Sequence, residues 1–210
     1  MKKTFLITAG PTREYIDPVR YLSNASSGLM GYLLAGEAGK RGHKVILVSG
    51  PVSLAAPKGV KLLKAVSARD MFTLVKSNIS KADVIIAAAA VSDFRPERML
   101  RRKFKKDSGE LKLKLVKNPD IAGYAGCVKG GRALVGFCLE SENLLERAAK
   151  KLKAKNMDLV VANYPSSIAA RKTRAWLIDK KGKITDSKTA SKEILAKRII
   201  DESLAILSAS

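Results

Sequence analysis

The chain has 210 residues, 46% hydrophobic and 28% charged, which suits one large domain or one domain carrying an excursion and argues against wholesale disorder. No apolar run reaches the roughly 18 residues of a membrane span, and the lone His43, set in a helix-to-strand turn, argues against a histidine-based triad and against multi-histidine metal sites. Forty Lys and Arg against nineteen Asp and Glu give a formal charge of +21, which fits either a polyanionic partner such as nucleic acid or a phosphate pocket on a basic background.

The opening MKKTFLITAG has too short an apolar stretch for a secretion signal, and it runs into a Gly-Pro turn. Residues 3–9 read as a first strand, buried on both faces because the apolar run hardly alternates. ITAGPTREYIDPVRYLSNASSGLMG (7–31) then spends about twenty polar, Pro-, Ser- and Asn-rich positions before the next helix, several times the usual strand-to-helix connection. SSGLMGYLLAGEAGKRG has apolar positions at helical spacing, with Ser26 or Ser27 as its expected N-cap and Gly42 as its stop. HKVILVSG, with His43 in the preceding turn, and GVKLLKAV read as the second and third strands. Ser67 caps a second helix, ARDMFTLVKSNI, and ADVIIAAAAV is a fourth strand ending in small residues.

KFKKDSGELKLKLVKN (103–118) has two arms of β-like alternation around Asp107-Ser108-Gly109. It reads as a basic hairpin, either a charged edge ribbon or a flap over a phosphate-bearing ligand. KNPDI (117–121) is a helix start, with Pro119 near the first helical position and Asp120 in the first turn. Strand RALVGFCLE, helix ENLLERAAKKLKAKN and strand MDLVVANY follow. TRAWLIDKKGKITD predicts a hairpin turning at Lys181-Gly182, and residues 187–207 a closing amphipathic helix. The strand–helix alternation implies an α/β fold: a Rossmann-like, mostly parallel, doubly wound sheet with an inserted basic hairpin, in one domain over 1–210. Cys127 and Cys138, outside any CxxC or His-containing cluster, suit reduced thiols of a cytoplasmic protein.

Ligands of open parallel sheets bind beyond the carboxyl ends of the strands, at the switch in strand order. Three stretches converge there, KNPDI among them. SNASSGLMG offers exposed amides and a helix dipole to an anion, with Gly28 and Gly31 permitting close approach, although capping and packing account for it equally well. AAAAVSDFRP (87–96) leaves room for a flat base or an acyl chain, and Asp93 suits a ribose hydroxyl or a metal; plain strand packing is the alternative. The spacing matches neither GxGxxG nor a Walker loop.

Taken in order, ITAGPTREYIDPVRYLSNASSG, AAAAVSDFRP, KFKK, VKNPDI, VGFCLES and LVVAN resemble phosphopantothenoylcysteine synthetase, also called phosphopantothenate–cysteine ligase. The resemblance runs from the first strand to the last helix. It implies a Rossmann-like homodimer that joins 4′-phosphopantothenate to L-cysteine in coenzyme A biosynthesis. Bacterial members use CTP and Mg²⁺ through an acyl-cytidylate, releasing pyrophosphate and then CMP; eukaryotic members generally favour ATP. The blocks look bacterial, so CTP is expected. Activation of a carboxylate in this way needs positioning and charge neutralisation rather than histidine or a nucleophilic serine.

The resemblance assigns roles. Asn24 would hydrogen-bond the acyl-cytidylate and the oxyanion formed by cysteine attack, with Arg20 supporting its loop and Lys103 closing over the triphosphate, helped by Lys105 and Lys106. Nucleotide contacts would come from Ala87, Ala88, Ala89 and Asp93, from Pro119, Asp120, Ile121 and Ala122, and from Phe137, Lys151 and Lys155. Gly10, Ser26, Gly28 and Gly31 would cradle phosphate. Ala89, Ala90, Asn24 and Asn163 would line the acyl side, and no metal ligand is assigned. Where members commonly read SNHSSGKMG, this chain has Ala25 and Leu29, which removes one possible phosphate contact. The flavin-dependent decarboxylase half of the bifunctional protein is absent from the chain, as for a separate enzyme or an excised domain. Two other readings stay open: a nicotinamide-dependent reductase on a similar sheet, and a basic nucleic-acid binder.

Overall fold

The computed structural model describes residues 1–104, 110, 112–168 and 170–208. Its elements in chain order are β1 (Thr4–Ala9), β2 (Arg13–Tyr15), β3 (Tyr21–Ser23), α1 (Leu29–Lys40), β4 (Lys44–Ser49), β5 (Lys61–Lys64) and α2 (Ala68–Asn78). They continue with β6 (Val84–Ala87), β7 (Phe94–Pro96), β8 (Leu115–Lys117), α3 (Ile121–Val128), β9 (Ala133–Leu139) and α4 (Leu144–Ala154). The last are β10 (Leu159–Asn163), β11 (Lys172–Asp179), β12 (Ile184–Ser191) and α5 (Lys192–Ser208). An eight-stranded sheet runs β12-β11-β10-β9-β6-β1-β4-β5, parallel from β10 to β5 and antiparallel at β11 and β12.

Alternation along the central strand explains why both faces are covered. Phe5, Ile7 and Ala9 face a core filled by α1 and α5, through Leu34, Ala35, Leu195 and Ile199. Leu6 faces the opposite core, with Met71 of α2, Ile121 of α3 and Ala148 of α4. A strand buried on both sides keeps apolar residues at consecutive positions, which is why the first strand hardly alternates in polarity. The chain goes from β1 outward to β4 and β5, then returns to β1's other side with β6. The strand order therefore switches between β1 and β6, and their carboxyl ends border a crevice.

Local capping holds where it was legible. Ser67 Oγ accepts from the Asp70 amide (3.1 Å) while Asp70 Oδ2 accepts from the Ser67 amide (2.8 Å), a reciprocal cap on α2. Gly42 follows α1 with φ +82 and donates to the Gly39 carbonyl, ending that helix as expected. The loop turning back between β11 and β12 includes Gly182, also as expected.

Four predicted details are corrected. Helix α1 begins at Leu29 with Gly28 as N-cap at φ +77, so neither Ser26 nor Ser27 caps it. Their hydroxyls instead accept from the amides two residues on, Gly28 and Leu29. The fourth strand stops at Ala87, because Ala88 to Val91 peel away toward the β1 loop. Residues 187–191 extend β12 rather than begin the closing helix, since pairing with β11 overrides their helical pattern. Leu115–Lys117 pairs with Phe94–Pro96, so the inserted ribbon is made by a strand upstream of the expected first arm. The expected turn at Asp107-Ser108-Gly109, with Lys105 and Lys106, lies outside the described residues.

Candidate active site

A cleft of about 490 Å³ opens at the switch point. Its floor is the sheet edge: Thr8 at the end of β1, Ala87 and Ala89 leaving β6, and Phe137 on β9. Small side chains at 87 and 89 are what keep this space empty. One wall is the strand exit carrying Ser92, Asp93 and Phe94, and the facing wall is Lys117 to Ala122. Asn118 ties the walls together: its Nδ2 donates to the Ser92 carbonyl (2.8 Å) and its amide donates to the Asp93 carbonyl (2.8 Å). The mouth is set by Lys151 of α4 and Lys155 just beyond it.

The electrostatics favour an anion. Asp120 is the N-cap of α3 rather than part of its first turn, so Pro119 precedes the helix; it accepts from the Gly123 amide (2.9 Å) and pairs with Lys155 (2.9 Å). Burial opposes its ionisation, yet the Gly123 amide and Lys155 outweigh it and hold the carboxyl below the usual carboxylate range. Lys151 is half-buried, and burial, reinforced by the neighbouring Lys155 charge, pulls its pKa below the ordinary lysine range. An incoming anion would relieve both effects. Beneath it, burial pushes the Cys138 thiol up, so that thiol is protonated and inert at neutral pH.

The long loop after β1 folds back over this edge as the β2–β3 ribbon. Asp17, with no exposed surface, accepts from the Val19 amide (2.8 Å), the Arg20 amide (2.9 Å), the Arg20 guanidinium and the Phe104 amide (3.3 Å). The Arg20 guanidinium beside it holds its carboxyl far below the usual range. Arg20 also donates to the Phe104 carbonyl (3.1 Å) and lies over the Phe104 ring. Loop and basic segment are thereby clasped, with Lys103 exposed beside the clasp. Asn24 Nδ2 donates to the Ala90 carbonyl (3.1 Å), and the Ala90 amide donates to the Gly10 carbonyl (2.9 Å). Asn24 is thus moored to the backbone leaving β6.

Of the residues expected at the site, Ala87, Ala89, Asp93, Phe137, Lys151 and Lys155 line the cleft, as does the segment Pro119 to Ala122. Asn24, Ala90 and Gly10 are joined to one another through backbone carbonyls beside the β6 exit. Together with Arg20, Ser26, Gly28, Gly31, Ala88, Lys103 and Asn163, they are not in the lining. Packing accounts for the glycines. A Cβ on Gly31 would come within 2.5 Å of the Ala9 Cβ, and one on Gly28 within 3.2 Å of Gly10 Cα. Asn163 Nδ2 donates to Ser167 Oγ (2.7 Å) beyond β10. Thr8 and Met157 were not foreseen, and Val91, Ser92, Phe94, Lys117 and Asn118 were foreseen only as members of the stretches 87–96 and 117–121. Among the described residues no group of three or more potential metal-ligating side chains gathers. The carboxylates in the cleft lining are Asp93 and Asp120.

Comparison with known proteins gives the same direction. Residues 1–206 match the model of the DNA/pantothenate metabolism flavoprotein C-terminal domain. The chain is 40% identical over 201 residues to a coenzyme A biosynthesis bifunctional protein CoaBC from Borreliella burgdorferi, covering 94% of this chain and 51% of that protein. It thus spans about half the length of that relative. The crystal structure of the C-terminal domain of a CoaBC protein superposes with a TM-score of 0.86 at 35% identity, covering 99% of this chain and 97% of that one. A Cab2 variant in complex with phosphopantothenate-cysteine shares the fold, with a TM-score of 0.79 at 22% identity over 99% of this chain and 87% of the other.

Proposed function

The chain belongs to the family of DNA/pantothenate metabolism flavoprotein C-terminal domains, and from that membership we propose that it is a phosphopantothenate–cysteine ligase of coenzyme A biosynthesis, using CTP. The observation that carries the reading is the placement of Asn24. It is moored to the Ala90 carbonyl, on the strand exit whose flanking residues Ala89 and Val91 line the cleft at the carboxyl edge of a Rossmann-like sheet. The cleft takes the nucleotide: Phe137 and the small residues of the β6 exit receive the base and ribose, and Lys151 and Lys155 the phosphates. The 4′-phosphopantothenate carboxylate attacks the α-phosphorus, forming the acyl-cytidylate and expelling pyrophosphate. The cysteine amine then adds to the acyl carbon, and collapse of the oxyanion breaks the bond to CMP. Asn24, whose carboxamide nitrogen is a neutral donor, stabilises that oxyanion in this reading. Lys103 neutralises triphosphate charge from the clasped segment beside the loop. Magnesium, when bound on the triphosphate, would supply further charge neutralisation. A homodimer, with the long loop reaching the neighbouring protomer, completes the reading.

Turnover distinguishes this from the other classes. Pyrophosphate release requiring CTP and 4′-phosphopantothenate together, with cysteine needed for CMP release, is the expected result. A preference for ATP would correct the nucleotide alone. Pyrophosphate release without phosphopantothenate, or none at all, would overturn the ligase. Micromolar NADH binding, or tight and steeply salt-dependent DNA binding without turnover, would replace it with one of the rival readings.

A further inference from the structure

Strand β11 carries a second set of side chains that the cleft does not use. Ala175 is buried in the core and Thr173 is buried at the border of a second cavity, whereas Lys172 and Arg174 are exposed and Trp176 is half-buried, on alternate positions of the strand. That cavity, of about 350 Å³, lies over them and has no lining residue in common with the 490 Å³ cleft. Tyr164, leaving β10 and 44% exposed, stands at 90° to the Trp176 ring with centroids 5.8 Å apart. Arg174 covers the indole from 5.0 Å, and its guanidinium is set by Asp186, which accepts from Nε (3.1 Å) and Nη2 (2.6 Å). Ser166 and Thr189 add hydroxyls to the rim.

Edge protection bears on β12, the outermost strand, and less on β11 beside it. It does not explain why the only Trp of the chain and a half-exposed Tyr form a corner against an oriented guanidinium. A flat heteroaromatic ring seated in such a corner stacks on one aromatic and meets the other edge-on. Lys172 and the outward edge of Arg174 then lie where a phosphate would be drawn. Asp186 offsets one of the two cations, so a phosphate alone is held weakly and the ring must supply part of the affinity. Volumes of this order fall within the range of small-molecule sites.

We propose that this corner is a second ligand site, separate from the cleft, that takes a free nucleoside monophosphate, its base on Tyr164 and Trp176 and its phosphate on Lys172 and Arg174. The site does not depend on the ligase reading.

Because Trp176 is the only tryptophan, its fluorescence reports on this corner directly. The test titrates the full chain with AMP, and in parallel with adenosine and with ribose 5-phosphate. AMP is expected to change the emission saturably, and each half-molecule to bind about tenfold more weakly or worse. Lys172→Ala should weaken AMP by about fivefold or more while leaving CTP-dependent turnover unchanged. Lys155→Ala, in the other cleft, should leave the AMP midpoint in place. The proposal is overturned by a flat titration, by ribose 5-phosphate binding as tightly as AMP, or by a midpoint that follows Lys155 rather than Lys172. A single-stranded oligonucleotide binding far more tightly than AMP would also overturn it, in favour of nucleic acid.

Discussion

The two ends of the parallel strands treat charge in opposite ways. At the amino end, polar groups are consumed by the protein itself. Asp158, buried before β10, accepts from Lys129 Nζ (2.5 Å) and the Leu134 amide (2.8 Å). Asp83 accepts from the Thr4 amide (2.7 Å), Arg132 donates to the Ala82 and Ser80 carbonyls, and His43 Nδ1 accepts from the Lys3 amide (3.2 Å). At the carboxyl end, Lys117 and Lys151 face the open cleft beside the Lys155–Asp120 pair, and Asn24 stands exposed on the loop tied to the β6 exit. Charge satisfied internally serves the fold, and charge left facing a cavity is available to a ligand. The lone histidine belongs to the first kind.

Substitutions at the two ends should therefore separate stability from chemistry. The largest effect is expected from Asp158→Ala, which strands a buried lysine. Urea unfolding should show a loss of about 3–5 kcal/mol, with KM for CTP unchanged in the protein that remains folded. Asn24→Ala should do the reverse, keeping the unfolding midpoint while product formation falls about 10²–10³-fold and acyl-cytidylate accumulates. Unchanged turnover would remove Asn24 from the mechanism. Lys151→Gln should raise KM for CTP about tenfold. Because burial lowers the Lys151 pKa, wild-type nucleotide affinity should begin to weaken with rising pH before the ordinary lysine range, and the variant should lose that alkaline limb. A wild-type profile flat through that range would place the amine outside the phosphate site. The smallest change, a few-fold fall in kcat, is expected for Phe104→Ala. It leaves the Asp17–Arg20 pair intact and loosens only the basic segment, so a change confined to stability would show that the clasp has no part in turnover.

Features written within a few residues were legible. The Ser67–Asp70 cap, the stop at Gly42 and the hairpin at 181–182 each depend on neighbours in the chain. Most of the cleft lining was reached through motif resemblance rather than through periodicity: Lys151 and Lys155 look like ordinary solvent lysines of an amphipathic helix. The Asp17–Arg20–Phe104 clasp joins residues 87 positions apart and has no local signature. The pairing of β7 with β8 was missed because each strand has three residues and the alternation of 103–118 suggested a nearer partner. The helix start at Leu29 was misplaced because the good capping residues, Ser26 and Ser27, precede a glycine whose positive φ turns the chain only afterwards.

By itself, the sequence determined the alternation of strands and helices and the two-sided burial of the central sheet, and it pointed to the edge where the cleft opens, because periodicity and end-capping act over one or two turns of chain. Tertiary structure alone decided which distant segments meet: the loop that carries Asn24 with the exit of β6, the basic segment with Asp17, and Tyr164 with Trp176. Those encounters depend on strand order and on which groups are left unpaired once the core has closed, and neither quantity is encoded by any short stretch of residues.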